Sequence, residues 1–325
     1  MTLIPVEAPP EGTVDLGELI DAVRALHVDL TLGDAEQPVP AVVETGPSTV
    51  LLPMVATSRR LGLTVVKVLT DAQADGPLQQ STVLLLDATT GTRLAVLAGG
   101  PGTRMRTAAA SAVATDALAR GDSSVLGLVG AGPLAVEHVA AIRRVRPIDH
   151  VVVWSRTARR IEEFRHTLRA RERADGSPPP PPPPLGVTVS PDVHGVVSEV
   201  DVLCTLSPAR EPHVHGAWFR PGLHVNAVGA PPRPDHREID GAALARARVV
   251  VDSREVQLRK SGEVLLALDE GAVTLDDVGL ELGEVLTGAH GRRRPDDVTL
   301  FESVGLAIQD LAYAALATGR PVVPR

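Results

Sequence analysis

The chain has 325 residues, of which 44% are hydrophobic and 22% charged, a balance typical of soluble globular proteins with room for two domains. Its net charge of −8 argues against nucleic acid as a main partner, and no apolar run approaches the roughly 20 residues that span a membrane. The single cysteine, Cys204, lies in an apolar run, which indicates a buried thiol. With no internal disulfide and no signal-peptide pattern, the sequence predicts a cytoplasmic protein.

The N-terminal part predicts one helix followed by a sheet. Apolar residues recur at helical spacing over Val14–Leu26, Thr89–Thr92 is typical of a hairpin turn, and the Ala-rich segment Thr107–Ala119 predicts a second helix. Because the strands follow one another without intervening helices, we expect an antiparallel or mixed sheet. The predicted strands are Ala41–Val43, Thr49–Leu52, Leu63–Leu69, Ser81–Asp87 and Arg93–Leu97.

From Ser124 onwards, apolar strands alternate with helical segments. This alternation predicts a doubly wound α/β domain of Rossmann type with a parallel sheet buried on both faces. The predicted strands are Val125–Val129, Val151–Trp154, Val187–Val189, Val200–Leu206, Leu223–Val228 and Val249–Asp252. The predicted helices are Pro133–Arg144, Ala158–Arg173, Ala242–Ala247 and a tail helix over Val298–Thr318.

The tail helix lies beyond the last predicted strand of the parallel sheet, so we expect it to return to the first domain. The predicted division is an NAD(P)-binding domain of residues 113–294 and a second, α+β domain of residues 1–112 with 295–325. The proline tract Pro178–Pro184 predicts a stiff extended insertion at the surface. A ligand for a proline-binding module is the alternative interpretation.

A glycine-rich motif directly after the strand Val125–Val129 opens the following helix. Gly130 permits the tight turn, Gly132 lets the backbone approach a phosphate, and Ala135 lets helix and strand pack closely. The helix N-terminus offers free N–H groups to a pyrophosphate. A tight turn without a ligand is the alternative interpretation. The predicted cofactor-binding residues of this loop are Gly130, Ala131, Gly132, Pro133, Leu134 and Ala135.

The end of the next strand bears on which dinucleotide is bound. A carboxylate at this point binds the ribose 2′-hydroxyl of NAD, but this chain has Ser155, Arg156 and Thr157. An arginine and two hydroxyls are suited to a 2′-phosphate. The sequence therefore favours NADP(H) over NAD(H), the alternative being that the arginines here form only the solvated start of a helix.

A series of short segments resembles the ornithine cyclodeaminase/mu-crystallin family over roughly residues 37–315, in the family's order. The resemblance implies a nicotinamide cofactor, a 2-amino acid or its imine as substrate, and a homodimer joined through the non-Rossmann domain. The segments are Arg106–Ala109, the Gly130 loop, Trp154–Thr157, Val225–Ala230, Arg237–Asp240, Val251–Glu255, Ser261–Glu263, Leu282–Val285 and Phe301–Gly305.

The same resemblance implies a substrate clamp. Lys67 and Arg106 match the family's lysine and arginine near the substrate carboxylate, and Val228 and Ser303 fall in segments near the nicotinamide. A lysine inside an apolar strand is costly unless it is paired, and a substrate carboxylate would pair with it. The alternatives are a strand-edge side chain that reaches solvent for Lys67, and an ion pair at the start of the Thr107 helix for Arg106, where positive charge is unfavourable.

Two positions depart from the family pattern. The cyclodeaminases have an aspartate where this chain has Pro231, and the family commonly has an arginine where this chain has Pro40. The loop with Arg233, Pro234 and Asp235 resembles the ketimine reductase branch instead. Our leading hypothesis is an NADPH-dependent reductase of a cyclic or substituted 2-imino acid. The alternatives are an NAD-dependent cyclodeaminase or alanine dehydrogenase, and an NADPH-dependent small-molecule-binding protein with little turnover. The spacing of His213 and His215 predicts no metal site, because no third ligand is evident.

Overall fold

The computed structural model describes residues 12–46, 49–72, 79–174 and 185–322. It confirms the predicted fold class, an α/β protein with a Rossmann-type parallel sheet and a second, antiparallel sheet. The chain divides into two compact units, the first Met1–Ala110 with Gly305–Arg325 and the second Ser111–Val304. The predicted proline insertion, Pro178–Pro184, lies outside the described residues.

The helices and strands fall into two groups along the chain. The first part contains α1 (Leu16–Leu32), β1 (Ala35–Glu36), β2 (Val43–Gly46), β3 (Thr49–Ser58), β4 (Leu63–Ala72), β5 (Gln79–Asp87), β6 (Arg93–Ala98) and α2 (Gly99–Leu118). The second contains β7 (Val125–Val129), α3 (Pro133–Ile142), β8 (His150–Trp154), α4 (Ala158–Ala174), β9 (Gly186–Val189), α5 (Val193–Glu199), β10 (Val202–Thr205), a 3-10 turn (Gly216–Trp218), β11 (His224–Ala227), α6 (Gly241–Arg246), β12 (Arg248–Val251), α7 (Arg254–Lys260), α8 (Gly262–Asp269), β13 (Leu280–Glu281), α9 (Leu282–Leu286), β14 (Thr299–Glu302) and α10 (Ala307–Ala317).

The first unit is an antiparallel sheet covered on one face by two helices. The strand order is β1-β3-β4-β5-β6, with β2 paired to β3. Side chains of β3 alternate between buried and half-buried, as expected when only one face of a sheet is covered. The C-terminal helix α10 packs on β3 and β4 and also against α1. The predicted hairpin is confirmed, since β5 and β6 pair across a turn in which Gly91 has a φ of +68°.

The second unit is a parallel sheet with the strand order β13-β12-β14-β11-β10-β7-β8-β9. Separate apolar clusters pack on its two faces, which confirms the doubly wound arrangement. The strand order reverses between β7 and β10. In open α/β sheets a dinucleotide lies across the carboxyl ends of the strands at such a reversal.

Two elements of the first unit are longer than predicted. The strand predicted to end at Leu52 continues through Pro53 to Ser58. Proline is tolerated there because, in the described sheet, β2 pairs with β3 only as far as Leu51 and β1 only from Thr57. The helix predicted from Thr107 begins at Gly99. Gly102 in its first part allows close packing, because a Cβ there would lie 2.6 Å from the Tyr313 ring.

The predicted tail helix over Val298–Thr318 was wrong in its first part. Thr299–Glu302 is the strand β14, which lies between β12 and β11 in the parallel sheet. Leu300 and Phe301 are fully buried there, and an apolar run this short carries no periodicity that separates strand from helix. Only Ala307–Ala317 is helical. Within the described residues, no helix is both long enough and apolar enough to cross a membrane.

Candidate active site

Lys67 lies on the covered face of β4, a central strand of the first unit, and is only 1% exposed. The interpretation of this lysine as a strand-edge side chain that reaches solvent was therefore wrong. Its ammonium donates hydrogen bonds to Thr103 Oγ1 at 2.7 Å and to Asp310 Oδ1 at 2.9 Å. Burial lowers the pKa of Lys67 to about 8; attraction to Asp310 opposes this shift, and repulsion by Arg106 adds to it.

Arg106 reaches the same carboxylate from α2. Its Nε lies 3.3 Å from Asp310 Oδ1, and its Nη1 donates to Gln309 Oε1 at 2.7 Å. Since α2 begins at Gly99, Arg106 is in the interior of this helix, and the prediction that it lies at the helix start was wrong. The charge of Arg106 is therefore not unfavourable because of a helix start; it is unfavourable because the side chain is buried, with 5% exposed.

The first turn of α10 holds Arg106 in place. Gln309 Oε1 faces the guanidinium, so its amide nitrogen turns to His27 Nε2 at 3.3 Å. Burial lowers the pKa of His27 to about 4, so the imidazole is neutral and can accept this hydrogen bond. Gly305, with a φ of +86°, allows the close approach, because a Cβ there would lie 2.5 Å from Arg106 Nη1.

This cluster carries a net positive charge. Among the described residues, the two cations Lys67 and Arg106 share the single carboxylate of Asp310, whose pair distances are 2.9 and 3.3 Å. Two buried cations with one counter-charge are costly unless a further anion is bound. Arginine and lysine together are well suited to a carboxylate. The cluster therefore has the charge and the donors that could hold a small carboxylate.

Sequence reasoning identified both cations but missed Asp310. The helix α10 has the sequence AIQDLAYAALA, in which Asp310 is the one charged residue. A carboxylate in such an apolar helix must find a buried partner, as must a lysine in an apolar strand. Each signal predicts a buried partner, but neither identifies that partner, because the two residues are 243 positions apart.

The glycine loop of the second unit connects β7 to α3, as predicted. Gly130 has a φ of +118°, and its N–H donates to the carbonyl of Trp154 at 2.9 Å, which ties the loop to the end of β8. Gly132 is the N-cap of α3 and is followed by Pro133 at the first helical position. Ala131 and Ala135 are buried, whereas Leu134 is half-buried.

The loop fits a pyrophosphate. Among the described residues, no atom lies within 4 Å of the place that a Cβ on Gly132 would occupy. The backbone at the N-terminus of α3 therefore faces open space that a side chain would fill, and its first N–H groups are available to an anion. A Cβ on Gly130, by contrast, would lie 2.9 Å from the Leu206 carbonyl oxygen, so the two glycines serve different purposes.

The other predicted cofactor residues lie at the carboxyl ends of neighbouring strands. Ser155, Arg156 and Thr157 directly follow β8, where Ser155 is half-buried and the other two are exposed. Val228 follows β11 and Ser303 follows β14. The Ser303 hydroxyl donates to Asp252 Oδ2 at 2.7 Å. The structure therefore places these residues and the glycine loop along one edge of the sheet, the edge at which dinucleotides bind.

The two departures from the family pattern also have defined positions. Pro40 is half-buried in the segment after β1, and Gln37 of this segment accepts a hydrogen bond from the Ile308 N–H in the first turn of α10. Pro231 is half-buried in a turn that the Arg233 N–H closes by donating to the Pro231 carbonyl. The nearby Asp235 pairs with His236 at 2.9 Å and with Arg210 at 3.2 Å.

Two further sequence features have structural roles. His213 Nε2 lies 3.3 Å from Ser207 Oγ, whereas His215 Nδ1 lies 2.9 Å from Asp240 Oδ2, so the two imidazoles serve different partners. Within the described ranges, no three side chains are arranged as metal ligands. Cys204 is buried, and burial raises its pKa to about 12, so that it stays a thiol.

A Rossmann-type parallel sheet with a glycine-rich loop, and a buried cluster of two cations and one carboxylate, are typical of an NAD(P)-dependent oxidoreductase of the α/β class. The chain belongs to the ornithine cyclodeaminase/mu-crystallin family, whose model matches residues 10–320. It is 39% identical over 240 residues to the mouse ketimine reductase mu-crystallin, covering 74% of this chain and 69% of that protein.

Two solved structures share the fold over nearly the whole chain. The Δ1-pyrroline-2-carboxylate reductase of Thermococcus litoralis, in complex with NADH and L-proline, has a TM-score of 0.89 and 30% identity, covering 97% of each chain. An archaeal alanine dehydrogenase, described as a dimer with bound NAD, has a TM-score of 0.85 and 29% identity over 97% of this chain and 95% of its own.

Proposed function

We propose that this protein is an NADPH-dependent reductase of a cyclic or substituted 2-imino acid. The observation that carries the proposal is the buried cluster of Lys67, Arg106 and Asp310, with two cations and one carboxylate. A 2-imino acid offers the anion that such a cluster lacks. The relatives support the reaction class, since one is a ketimine reductase and another a pyrroline-2-carboxylate reductase.

The chain's own residues bind and orient the reactants. Arg106 and Lys67 hold the substrate carboxylate and so fix the position of the adjacent imine carbon, and the Gly130–Ala135 loop holds the cofactor pyrophosphate. The nicotinamide, when bound, supplies the hydride. An imine is more electrophilic when protonated, so catalysis rests on positioning and on a protonated substrate nitrogen.

NADPH is the proposed cofactor because Arg156 is the second residue after β8 and lies between the hydroxyl residues Ser155 and Thr157, with no carboxylate in this segment. A guanidinium there matches a 2′-phosphate. The pyrroline-2-carboxylate reductase and alanine dehydrogenase structures contain NADH and NAD, so the two cofactors must be compared directly on this protein.

The cyclodeaminase alternative is disfavoured by Pro231, which has no acid–base capacity at the position of the cyclodeaminase aspartate. The binding-protein alternative draws on Pro40 and Pro231 together, because both remove a charged group from the family's pocket pattern. Turnover separates the three possibilities.

We also propose a homodimer joined through the first unit. The face of its sheet opposite α10 carries apolar side chains that remain half-buried or exposed, among them Val66 and Val68, of which Val68 is 36% exposed. Such a face favours association with a second copy. The archaeal alanine dehydrogenase is described as a dimer.

The test is a direct assay of the purified protein. Absorbance at 340 nm is followed with NADPH or NADH and with Δ1-pyrroline-2-carboxylate, Δ1-piperideine-2-carboxylate and an open-chain N-alkyl imine of pyruvate. We expect NADPH to be consumed with at least one imine and not with pyruvate alone. Ammonia release from ornithine or lysine with NAD would instead indicate a cyclodeaminase. Tight NADPH binding with no turnover on any imine would indicate a binding protein.

A further inference from the structure

Glu238 is a buried carboxylate of the second unit that accepts four hydrogen bonds. Its Oε1 receives the backbone N–H of Ser207 at 2.6 Å and the Ser207 hydroxyl at 2.8 Å. Its Oε2 receives the Thr205 hydroxyl at 2.6 Å and the backbone N–H of Gly229 at 2.9 Å. Each oxygen therefore accepts one backbone and one hydroxyl donor, which uses the full acceptor capacity of a carboxylate.

The donors come from two loops at the carboxyl edge of the parallel sheet. Thr205 is the last residue of β10 and Ser207 lies just beyond it, while Gly229 lies just beyond the end of β11. The two loops touch directly, because a Cβ on Gly229 would lie only 2.2 Å from the Ser207 nitrogen. Glu238 thus fastens the ends of two adjacent strands to each other.

The position of Glu238 is itself fixed by a second carboxylate. Glu263 accepts the backbone N–H of Glu238 at 2.7 Å and that of Ile239 at 3.3 Å. Burial raises the pKa of Glu238 to about 7, although its hydrogen bonds lower it. Burying a carboxylate costs free energy, and an apolar side chain at this position would avoid that cost. We therefore look for a functional role of Glu238.

The sheet topology indicates this role. The half-sheet of β7, β8 and β9 presents the glycine loop and Arg156, which correspond to the pyrophosphate and the adenosine end of the cofactor. The other half begins at the strand reversal with β10 and continues to β11. A doubly wound sheet takes one mononucleotide on each half, so the loops joined by Glu238 belong to the nicotinamide end.

We propose that Glu238 is a positioning residue that holds the loops after β10 and β11 in the conformation that receives the nicotinamide ring of the cofactor. This inference rests on the proposed function, since it requires that a nicotinamide dinucleotide is bound. Glu238 acts through the backbone of Ser207 and Gly229.

The test compares two ligands on the Glu238→Gln variant. An amide has one acceptor oxygen, and its NH2 group would face one backbone N–H and one hydroxyl. The backbone N–H loses its acceptor, and the hydroxyl must turn to accept instead of donating, so two of the four original hydrogen bonds are lost. We expect the dissociation constant of NADPH, measured by calorimetry, to rise about 10- to 100-fold, the effect of losing one or two charge-assisted hydrogen bonds. Binding of 2′-phospho-ADP-ribose, which lacks the nicotinamide, should change less than twofold.

A matched control is Asp240→Asn. Asp240 is also a carboxylate that accepts backbone N–H groups, from Gly216 and Ala243 at 2.9 Å each, but it holds the start of α6 and the 3-10 turn. Asparagine keeps the Oδ1 oxygen that accepts both N–H groups, so this variant should lower thermal stability only slightly, through the lost charge and the altered contact with His215. It should leave the ratio of the two affinities unchanged. Hydrogen–deuterium exchange of the Glu238→Gln variant should show lost protection at the Ser207 and Gly229 amides.

A milder variant, Thr205→Val, removes one hydroxyl donor without changing the side-chain shape and tests the inference if Glu238→Gln fails to fold. We expect a three- to tenfold loss for NADPH and none for 2′-phospho-ADP-ribose. Equal weakening of both ligands, or of neither, in a folded variant would overturn the inference. A wild-type protein that binds neither ligand would instead overturn the proposed function.

Discussion

The two units build their sites in opposite ways. The second unit offers mostly backbone: one short loop, Gly130–Ala135, and the N-terminus of α3. The first unit offers side chains from three elements, with Lys67 on β4, Arg106 on α2 and Asp310 on α10. A backbone site tolerates many substitutions but not added bulk, whereas a side-chain site depends on its balance of charge. Single substitutions should therefore have different effects in the two units.

The largest effect is expected when the charge balance of the first unit is broken. Asp310→Ala leaves Lys67 and Arg106 buried without their counter-charge, which should destabilise the unit by about 3–5 kcal/mol. Calorimetry should show a melting temperature lower by roughly 10 °C. The exposed pair of Glu36 and Arg59, 3.2 Å apart, provides the control, because Glu36→Ala should cost less than about 1 kcal/mol. Equal effects of the two variants would contradict this account.

Arg106→Leu should separate substrate binding from cofactor binding. Loss of one charge-assisted contact to the substrate carboxylate should raise KM for the imino acid about 10- to 100-fold. The dissociation constant of NADPH should stay within twofold, since its proposed contacts lie in the second unit. Arg104, exposed on the same helix, gives the control Arg104→Leu, which should alter neither quantity. A change in NADPH affinity alone would show that the carboxylate assignment is wrong.

The glycine loop should respond to bulk rather than to charge. Gly132→Ser adds a side chain in open space at an N-cap, where serine is favourable. We expect an unchanged melting temperature and an NADPH affinity about tenfold lower or more, because the side chain takes the place of the phosphate. Gly130→Ala should lower both the melting temperature and the NADPH affinity, since Gly130 has a φ of +118° and a Cβ would lie close to the Leu206 carbonyl. If Gly132→Ser binds NADPH normally, the pyrophosphate does not lie on this loop.

The same contrast explains what the sequence could predict. The glycine loop is one continuous segment between a strand and a helix, so its residues, order and fold were all visible locally. Lys67 and Asp310 are 243 positions apart, and no local pattern joins them. The family resemblance supplied the two cations, but the carboxylate between them became visible only when α10 was placed on β4.

The bounds of α2 and β14 were predicted wrongly for a related reason. Gly99 and Gly102 act as packing surfaces inside α2, and Thr299–Glu302 is a strand because two parallel neighbours pair with it. In each case tertiary contacts outweigh local propensity. Glu238 was visible in a family segment, but its four donors come from two separate loops, so its role could not be predicted from spacing.

A pH titration should distinguish the units further. The pKa of Lys67 is lowered to about 8 by burial, so the ammonium charge is lost as pH rises through that value. Affinity for pyrrole-2-carboxylate, which keeps the carboxylate without a basic nitrogen, should fall up to tenfold between pH 7 and 9. Because the folded lysine binds fewer protons than the unfolded one between pH 8 and 10.5, its contribution to stability rises with pH over that window. A flat binding profile would exclude Lys67 from the carboxylate site.

The smallest effect is expected at Arg156, because an exposed ion pair is screened by solvent. Arg156→Ala should weaken NADPH about five- to tenfold and leave NADH within twofold, since only the 2′-phosphate is contacted. Arg159 is also exposed but pairs with Glu163 at 2.7 Å, so Arg159→Ala serves as the control and should change neither affinity. Equal weakening of NADPH and NADH by Arg156→Ala would mean that this side chain supports the adenosine end in general. The preference for NADPH over NADH would then depend on the Ser155 and Thr157 hydroxyls, and the double variant Ser155→Ala/Thr157→Val should lose that preference.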